Sequence, residues 1–149
     1  MREMPRVISA PDEVGTEILL HINGIGDRRH VEAGWAGKLG SRCHVEAISI
    51  RTRGTVQPTA VEFCVVTQGS RTTAWVGDGS YVGTVGQPLT GFAARPVTTH
   101  RDKLDIVYEG CFFAGRIVGL KRNGELCVSA FENDPLEALR VSIFRRATD

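Results

Sequence analysis

Two glutamates and three aromatic residues stand beside glycine-rich segments, in positions that suit the recognition of a sugar. Each glutamate opens an apolar strand candidate, and a carboxylate makes strong, charge-assisted hydrogen bonds with vicinal hydroxyl groups. The aromatic residues adjoin Gly-rich turns, where an exposed ring can stack on the apolar face of a sugar. An aspartate at a predicted turn completes the set. The candidate ligand-binding residues are Glu46, Glu137, Trp35, Trp75, Tyr81 and Asp78.

Each candidate also has a purely structural interpretation, which stays open at the level of sequence. The tryptophans could fill the core, and the glutamates could be solvated or paired with an arginine such as Arg42 or Arg140. Asp78 and Asn123 precede glycine, and their tolerance of left-handed backbone suits a turn. Exposure of an aromatic ring in a groove near a carboxylate would favour the sugar site.

Catalytic, nucleotide and metal sites find little support in the motifs. The loop Gly77-x-Gly79-x-x-x-Gly83 is glycine-rich, but a strand candidate follows it where a phosphate site requires the N-terminus of a helix. The four histidines form no i, i+4 pair, and no G-x-S-x-G motif occurs. Glu46 and Glu137 could act as a glycosidase pair only at a suitable separation, which cannot be read from sequence. We therefore expect no enzyme activity, no cofactor and no metal.

The four cysteines are Cys43, Cys64, Cys111 and Cys127, and they lack the paired spacing of a zinc knuckle or a redox motif. They could be apolar fillers within or beside strands, or they could form a structural disulfide, which would imply export. Residues 1–15 lack the apolar stretch of a secretory signal. We therefore expect a cytoplasmic protein, or one exported by a non-classical route, and the reducing cytoplasm favours free thiols.

Composition argues against several classes of partner. There are 18 Lys and Arg residues against 17 Asp and Glu residues, and the net charge of +1 argues against a general nucleic-acid-binding protein. No apolar run reaches the roughly 18 residues that a membrane-spanning helix needs, so we expect no membrane insertion. With 149 residues, 42% of them hydrophobic and 17 of them glycine, the chain fits one turn-rich β domain over 1–149.

Three segments of similar length repeat one pattern along the chain. Each segment begins with an apolar strand candidate, followed within a few residues by glycine, and ends with a second apolar stretch. In the closing stretches Glu46, Thr90 and Glu137 take equivalent positions. Three repeats predict a fold built from three similar units. The segments span about 16–54, 60–98 and 103–146.

Turn chemistry and periodicity predict the elements inside each unit. Asp78-Gly79 and Asn123-Gly124 favour positive φ at both central positions of a turn, so we expect hairpin tips flanked by short strands. The segment 134–143 fits both a proline-started helix and an alternating strand. Because the equivalent stretches contain Arg95-Pro96 and the alternating Ile48-Ser49-Ile50, we expect a strand.

Alternation along the closing stretches predicts which side chains face the core. Apolar residues at every second position indicate a half-buried strand. The residues expected to point outward are Ser49, Arg51 and Arg140, and those expected in the core are Ile48, Ile50, Phe92, Leu139, Val141 and Ile143.

Short glycine-based motifs recur in the copies. The first two copies carry His21-Ile-Asn-Gly-Ile-Gly26, Gly37-Lys-Leu-Gly40, Trp75, Asp78-Gly79 and Gly83-Thr-Val-Gly86. The third copy keeps an Asn-Gly-Glu motif but has neither the Trp nor the G-x-x-G motif. This unit resembles the clostridial hydrophobic W repeat of bacterial surface proteins. The resemblance covers most of residues 16–144 and implies a bacterial protein.

The closing stretches carry a second resemblance. Two of them follow a predicted turn with the sequences Val45-Glu-Ala-Ile48 and Leu136-Glu-Ala-Leu139. They are similar to the L-D-A-I-G motif that follows a turn in the jacalin-related lectins. The resemblance implies a β-prism that binds sugar through backbone N–H groups and one carboxylate. The carboxylate position falls on Glu46, Thr90 and Glu137. Glu replaces Asp in two copies, and Thr removes the carboxylate from the other.

Together, these observations predict an all-β, three-fold pseudo-symmetric β-prism, with a β-trefoil as the alternative fold. Three amphipathic sheets can cover each other's apolar faces around one axis. The predicted function is a non-catalytic, lectin-like carbohydrate-binding module whose partner is a glycan or polysaccharide. The alternative is a protein–protein assembly or adaptor domain of the same fold, binding another chain or a second copy of itself.

Overall fold

The computed structural model describes residues 12–54 and 58–146, and within these ranges the chain forms thirteen β-strands and no α-helix. Short 3-10 helices occur at Pro58–Ala60 and Thr98–His100. The strands are β1 (Glu13–Val14), β2 (Thr16–Ile22), β3 (Gly26–His30), β4 (Trp35–Gly37), β5 (Val45–Thr52), β6 (Val61–Thr67), β7 (Arg71–Thr72), β8 (Val82–Gly83), β9 (Leu89–Pro96), β10 (Leu104–Phe112), β11 (Arg116–Arg122), β12 (Cys127–Val128) and β13 (Leu136–Arg145).

The strands form three antiparallel sheets, as the all-β prediction requires. The first sheet has the order β3-β2-β5-β8, and the second has the order β12-β9-β6-β7. The third has the order β1-β13-β10-β11, with β4 also pairing with β13. The end of the chain is therefore a strand, as we expected for 134–143, because Leu136–Arg145 alternates apolar and polar residues along an extended backbone.

Each predicted repeat gives a short strand to the sheet of another repeat. The two long central strands of each sheet come from one repeat, but β8 of the second repeat joins the first sheet. In the same way, β12 of the third repeat joins the second sheet, and β4 of the first repeat joins the third sheet. The three predicted repeats thus exchange short strands between their sheets.

The register of these short strands is the same in all three sheets. Ala47 pairs with Gly83 in the first sheet, Gly91 with Val128 in the second, and Ala138 with Gly37 in the third. The shared register supports the predicted equivalence of the repeats. A three-fold axis that superposes the units on one another stays a prediction.

Each of these crossing pairs contains one glycine, because the two backbones approach too closely for two side chains. A Cβ atom on Gly83 would lie 2.1 Å from the carbonyl oxygen of Glu46. In the second sheet the glycine stands on the other strand, and a Cβ atom on Gly91 would lie 2.5 Å from a methyl group of Val128. The backbones therefore approach closely in all three sheets, but the glycine lies on the short strand in the first and third sheets and on the long strand in the second.

The apolar faces of the sheets meet in one core. All six residues expected in the core are buried there, which confirms the alternation assigned to the closing strands. Near the centre, the rings of Phe92 and Tyr108 pack with centroids 5.3 Å apart. Arg140 is exposed and Arg51 partly exposed, as expected. Ser49 corrects the prediction: it is fully buried because the turn at Gly79 covers it, and its hydroxyl donates to the Gly79 carbonyl oxygen at 2.7 Å.

The expected hairpin tips are places where the chain passes from one sheet to another. Asn123 and Gly124 both have positive φ, yet β11 before them and β12 after them belong to different sheets. At Asp78-Gly79 only the glycine has positive φ, and the Asp78 carboxylate accepts a hydrogen bond from the Ser80 N–H at 3.0 Å. The sequence signals therefore mark turns correctly but not the pairing of the flanking strands.

All four cysteines are free thiols, with Cys43 partly exposed and the other three buried. No helix among the described residues is long and apolar enough to cross a membrane. Residues 1–11, 55–57 and 147–149 of the predicted domain lie outside the described residues, and with them most of the segment searched for a secretory signal.

Candidate functional site

The pairing of the two long strands slips at the same point in every sheet. His21 pairs with Ala47 and the next pair is Ile22 with Val45, so that Glu46 is the extra residue of a β-bulge. The same slip makes Thr90 the extra residue in the second sheet and Glu137 the extra residue in the third. A bulge re-aims a side chain, and all three side chains are buried as a result.

Glu46 is 1% exposed and is surrounded by donors. Its carboxylate lies 2.8 Å from Nε2 of His44 and accepts a hydrogen bond from Nδ2 of Asn23 at 3.1 Å. Burial raises the pKa of Glu46, but hydrogen bonds from the backbone N–H of Gly86 and from these side chains outweigh it and lower the pKa. Because Gly86 ends the G-x-x-G turn of the second repeat, Glu46 ties that turn to the first sheet.

Glu137 makes the equivalent contacts at another junction. It is 1% exposed, and it accepts hydrogen bonds from the backbone N–H groups of Gly40 at 2.5 Å and Arg42 at 3.2 Å. Nη1 of Arg116 lies 3.2 Å from its carboxylate. Burial raises the pKa of Glu137, but these contacts, together with a hydrogen bond from the Cys111 thiol, outweigh it and hold the pKa below its usual range. Glu137 thus ties the G-x-x-G turn of the first repeat to the third sheet.

Among the described residues, Thr90 makes no hydrogen bond with a turn of another repeat. Its hydroxyl lies 3.3 Å from the carbonyl oxygens of both Val66 and Thr67, within its own sheet. Neither glutamate side chain reaches the surface, and the role of both as direct ligands stays a prediction. Both are enclosed anchors of a neighbouring loop, because the bulge turns them inward and the exchanged turn closes over them.

The aromatic candidates are dispersed over the molecule. Trp75 is partly buried in the second sheet region, where the guanidinium of Arg95 lies 3.9 Å from the centre of its ring. Trp35 is partly buried on β4, beside β13 of the third sheet. Tyr81 is 41% exposed, and its hydroxyl lies 3.4 Å from the carboxylate of Asp27. Only Tyr81 therefore combines substantial exposure with a neighbouring carboxylate.

A chain of polar groups leads from Tyr81 to the buried Glu46. Nδ1 of His21 lies 2.8 Å from the Asp27 carboxylate, and its Nε2 lies 3.6 Å from the Glu46 carboxylate. The Asp27 side chain is 72% exposed. We name the surface formed by Tyr81, Asp27 and His21 the Tyr81 face.

The charge state of the Tyr81 face follows from these contacts. The hydrogen bond with His21 lowers the pKa of Asp27, so the carboxylate is ionised at neutral pH. Burial and the negative charge of Asp27 raise the pKa of Tyr81, so the phenol stays protonated and donates to Asp27. The face therefore presents an ionised carboxylate beside a protonated phenol.

Asp27 and His21 were not among the candidates from sequence. They are cross-strand partners on β2 and β3, joined through the Asn23–Gly26 turn. Pairing the strands across that turn would place the two side chains on one face of the sheet. No sequence pattern near Tyr81 indicates its contact with Asp27. The contact forms because β8, which follows Tyr81 in the chain, pairs with β5 of the first sheet.

No group of three or more His, Cys, Asp or Glu residues in the described ranges is arranged to hold a metal ion. Comparisons with protein-family models, with curated proteins and with solved structures find no significant match to this chain.

Proposed function

We propose that this protein is a non-catalytic carbohydrate-binding module and that the Tyr81 face is its sugar site. The observation that carries the proposal is the exposed ring of Tyr81 beside the exposed carboxylate of Asp27. An aromatic face covers the apolar side of a sugar ring, and a carboxylate accepts hydrogen bonds from two neighbouring hydroxyl groups.

In this proposal Glu46 is a positioning residue and not a direct ligand. His21 bonds to Asp27 on one side and approaches the buried Glu46 on the other. These contacts restrict the Asp27 carboxylate before a sugar arrives, which lowers the entropic cost of binding. The candidates Trp35 and Glu137 lie on the third sheet, and Trp75 adjoins Val76, which bridges to Phe63 of the second sheet. None of the three belongs to the Tyr81 face.

The proposal includes the absence of glycosidase chemistry. A glycosidase needs two carboxyl groups that flank one bond in a shared cleft. Glu46 and Glu137 are buried in different sheets, and each is occupied by the N–H groups of a loop. This arrangement favours binding without catalysis.

The test is a glycan array followed by titration calorimetry with the best-scoring glycan. We expect Asp27→Asn to weaken binding about tenfold or more, because the charge-assisted hydrogen bonds from the sugar hydroxyl groups would be lost. Tyr81→Ala should weaken binding, while Tyr81→Phe should keep most of it because the ring remains. Asp102→Asn serves as the matched control, because Asp102 is an exposed turn carboxylate outside the Tyr81 face. Equal affinity in all four variants would refute the site.

One observation favours the alternative of an assembly domain. Five large apolar side chains between positions 117 and 131 are exposed, and β11 is an edge strand of the third sheet. Two of these side chains, those of Ile117 and Leu120, lie on β11, and exposed apolar groups on a sheet edge are a template for association. The occupant that we propose for this alternative is a second copy of the chain, so sedimentation should show a dimer that Leu120→Lys converts to a monomer. The exposed residues are Ile117, Leu120, Leu126, Val128 and Phe131.

A further inference from the structure

A cavity of about 310 Å³ lies between the hairpin of β2 and β3 and the turn that begins at Gly37. This volume is at the lower end of the range typical of ligand pockets, about 300–1,000 Å³. Three aliphatic side chains, Leu20, Ile22 and Ile25, contribute to its lining. Ile25 is 43% exposed, so an occupant would remove a large apolar side chain from water. We name this space the basic cavity.

Three cationic side chains also line the basic cavity. Arg28 and Lys38 line it, and neither forms an ion pair with any described residue. Arg29 also lines it but is ion-paired with Glu17. The one carboxylate in the lining, Glu137, is already occupied by two backbone N–H groups and Arg116. The cavity therefore carries uncompensated positive charge beside an apolar surface.

His30 adds an unsatisfied polar atom to the same lining. Its Nε2 is buried and has no hydrogen-bond partner among the described residues. A buried polar atom without a partner loses the hydrogen bonds that it would make in water, which is costly. An occupant that bonds to Nε2 would remove this cost.

We propose that the basic cavity binds a small organic carboxylate with an apolar body. The carboxylate would pair with Arg28 and Lys38 and reach His30, while the apolar body would cover Ile25 and the other aliphatic side chains. The site is separate from the Tyr81 face: Asp27 and Arg28 are successive residues of β3, whose side chains point to opposite faces of the sheet. The proposal therefore stands or falls independently of sugar binding.

The experiment compares four small molecules by titration calorimetry at neutral pH: octanoate, octanol, octylammonium and acetate. We expect octanoate to bind at least tenfold more tightly than each of the others, because only octanoate combines a negative charge with an apolar chain. Equal binding of octanoate and octanol, or no binding of octanoate, would overturn the proposal.

Charge-removing variants locate the site. Lys38→Gln and Arg28→Gln should each weaken octanoate binding about tenfold, as loss of a charge-assisted hydrogen bond predicts. Lys103→Gln and Arg71→Gln are matched controls, because both residues are exposed, outside the cavity lining and without an ion pair to a described residue. Equal losses in variants and controls would contradict the proposed site.

A measurement on the unaltered protein guards against variants that disturb folding. Octanoate should shift the NMR signals of the His30 imidazole and of the Ile25 methyl groups, while the Tyr81 ring signals stay unchanged. Shifts confined to Leu120 and Phe131 would place octanoate on the exposed apolar side chains and refute the assignment to the basic cavity.

Discussion

Replacing Glu137 by Gln removes the charge that holds the turn of the first repeat against the third sheet. The glutamine keeps the shape but turns one acceptor oxygen into a donor, which faces the N–H groups of Gly40 and Arg42. A hydrogen bond to a charged group contributes about 1.5–3 kcal/mol, so loss of one and weakening of the other should cost about 2–4 kcal/mol of unfolding free energy. Arg116 is half exposed and adds little to this value.

Urea unfolding followed by tryptophan fluorescence measures this loss. Glu109→Gln is the matched control, because its carboxylate pairs with the half-exposed Arg140 at 3.9 Å and should cost under about 1 kcal/mol. If Glu137→Gln lowers the free energy of unfolding by less than about 0.5 kcal/mol, or by no more than the control does, the anchoring role of Glu137 is refuted.

The pH dependence of the stability of the same variant tests whether ionised Glu137 stabilises the fold. Because folding lowers the pKa of Glu137, its contribution is present above the unfolded pKa, near 4.3, and is lost as the pH falls through the folded pKa. The difference between the wild type and Glu137→Gln should therefore be full at pH 7 and shrink at more acidic pH. A stability difference that grows on acidification would show that folding raises the pKa of Glu137 instead of lowering it.

Four further outcomes follow from the packing and the charges. Phe92→Ala should cost about 3–5 kcal/mol in urea unfolding, because the ring is fully buried, and a negligible cost would show that the core was misplaced. Gly91→Ala should lower the melting temperature and a second change, Val128→Gly, should restore part of it by relieving the close contact. Burial raises the pKa of Asp105, but hydrogen bonds from an asparagine and two arginines lower it to about 2. Asp105→Asn should therefore remove about 1–2 kcal/mol of unfolding free energy at pH 7, and this difference should shrink as the pH falls from the unfolded pKa through the folded pKa. A thiol reagent should label only Cys43 in the native protein, since burial raises the pKa of the other three thiols, and labelling of more than one cysteine before unfolding would contradict this.

Local sequence pattern predicted the faces of the strands and the positions of the turns. Ile48 and Ile50 are buried because alternation along an extended strand assigns every second side chain to one face. The repeat alignment gave Glu46, Thr90 and Glu137 equivalent positions, and each is the extra residue of the β-bulge in its own sheet. These features depend on residues close together in the chain, whose order carries the signal.

The nature of the site was decided by contacts between distant parts of the chain. Glu46 and Glu137 open their strands as a ligand carboxylate would, but their burial depends on turns given by other repeats. Tyr81 meets Asp27 only because β8 crosses into the first sheet. Alternation defines which side of a strand is apolar and says nothing about which strand lies next to it. The tertiary exchange of short strands therefore determined which polar groups are enclosed and which reach the surface.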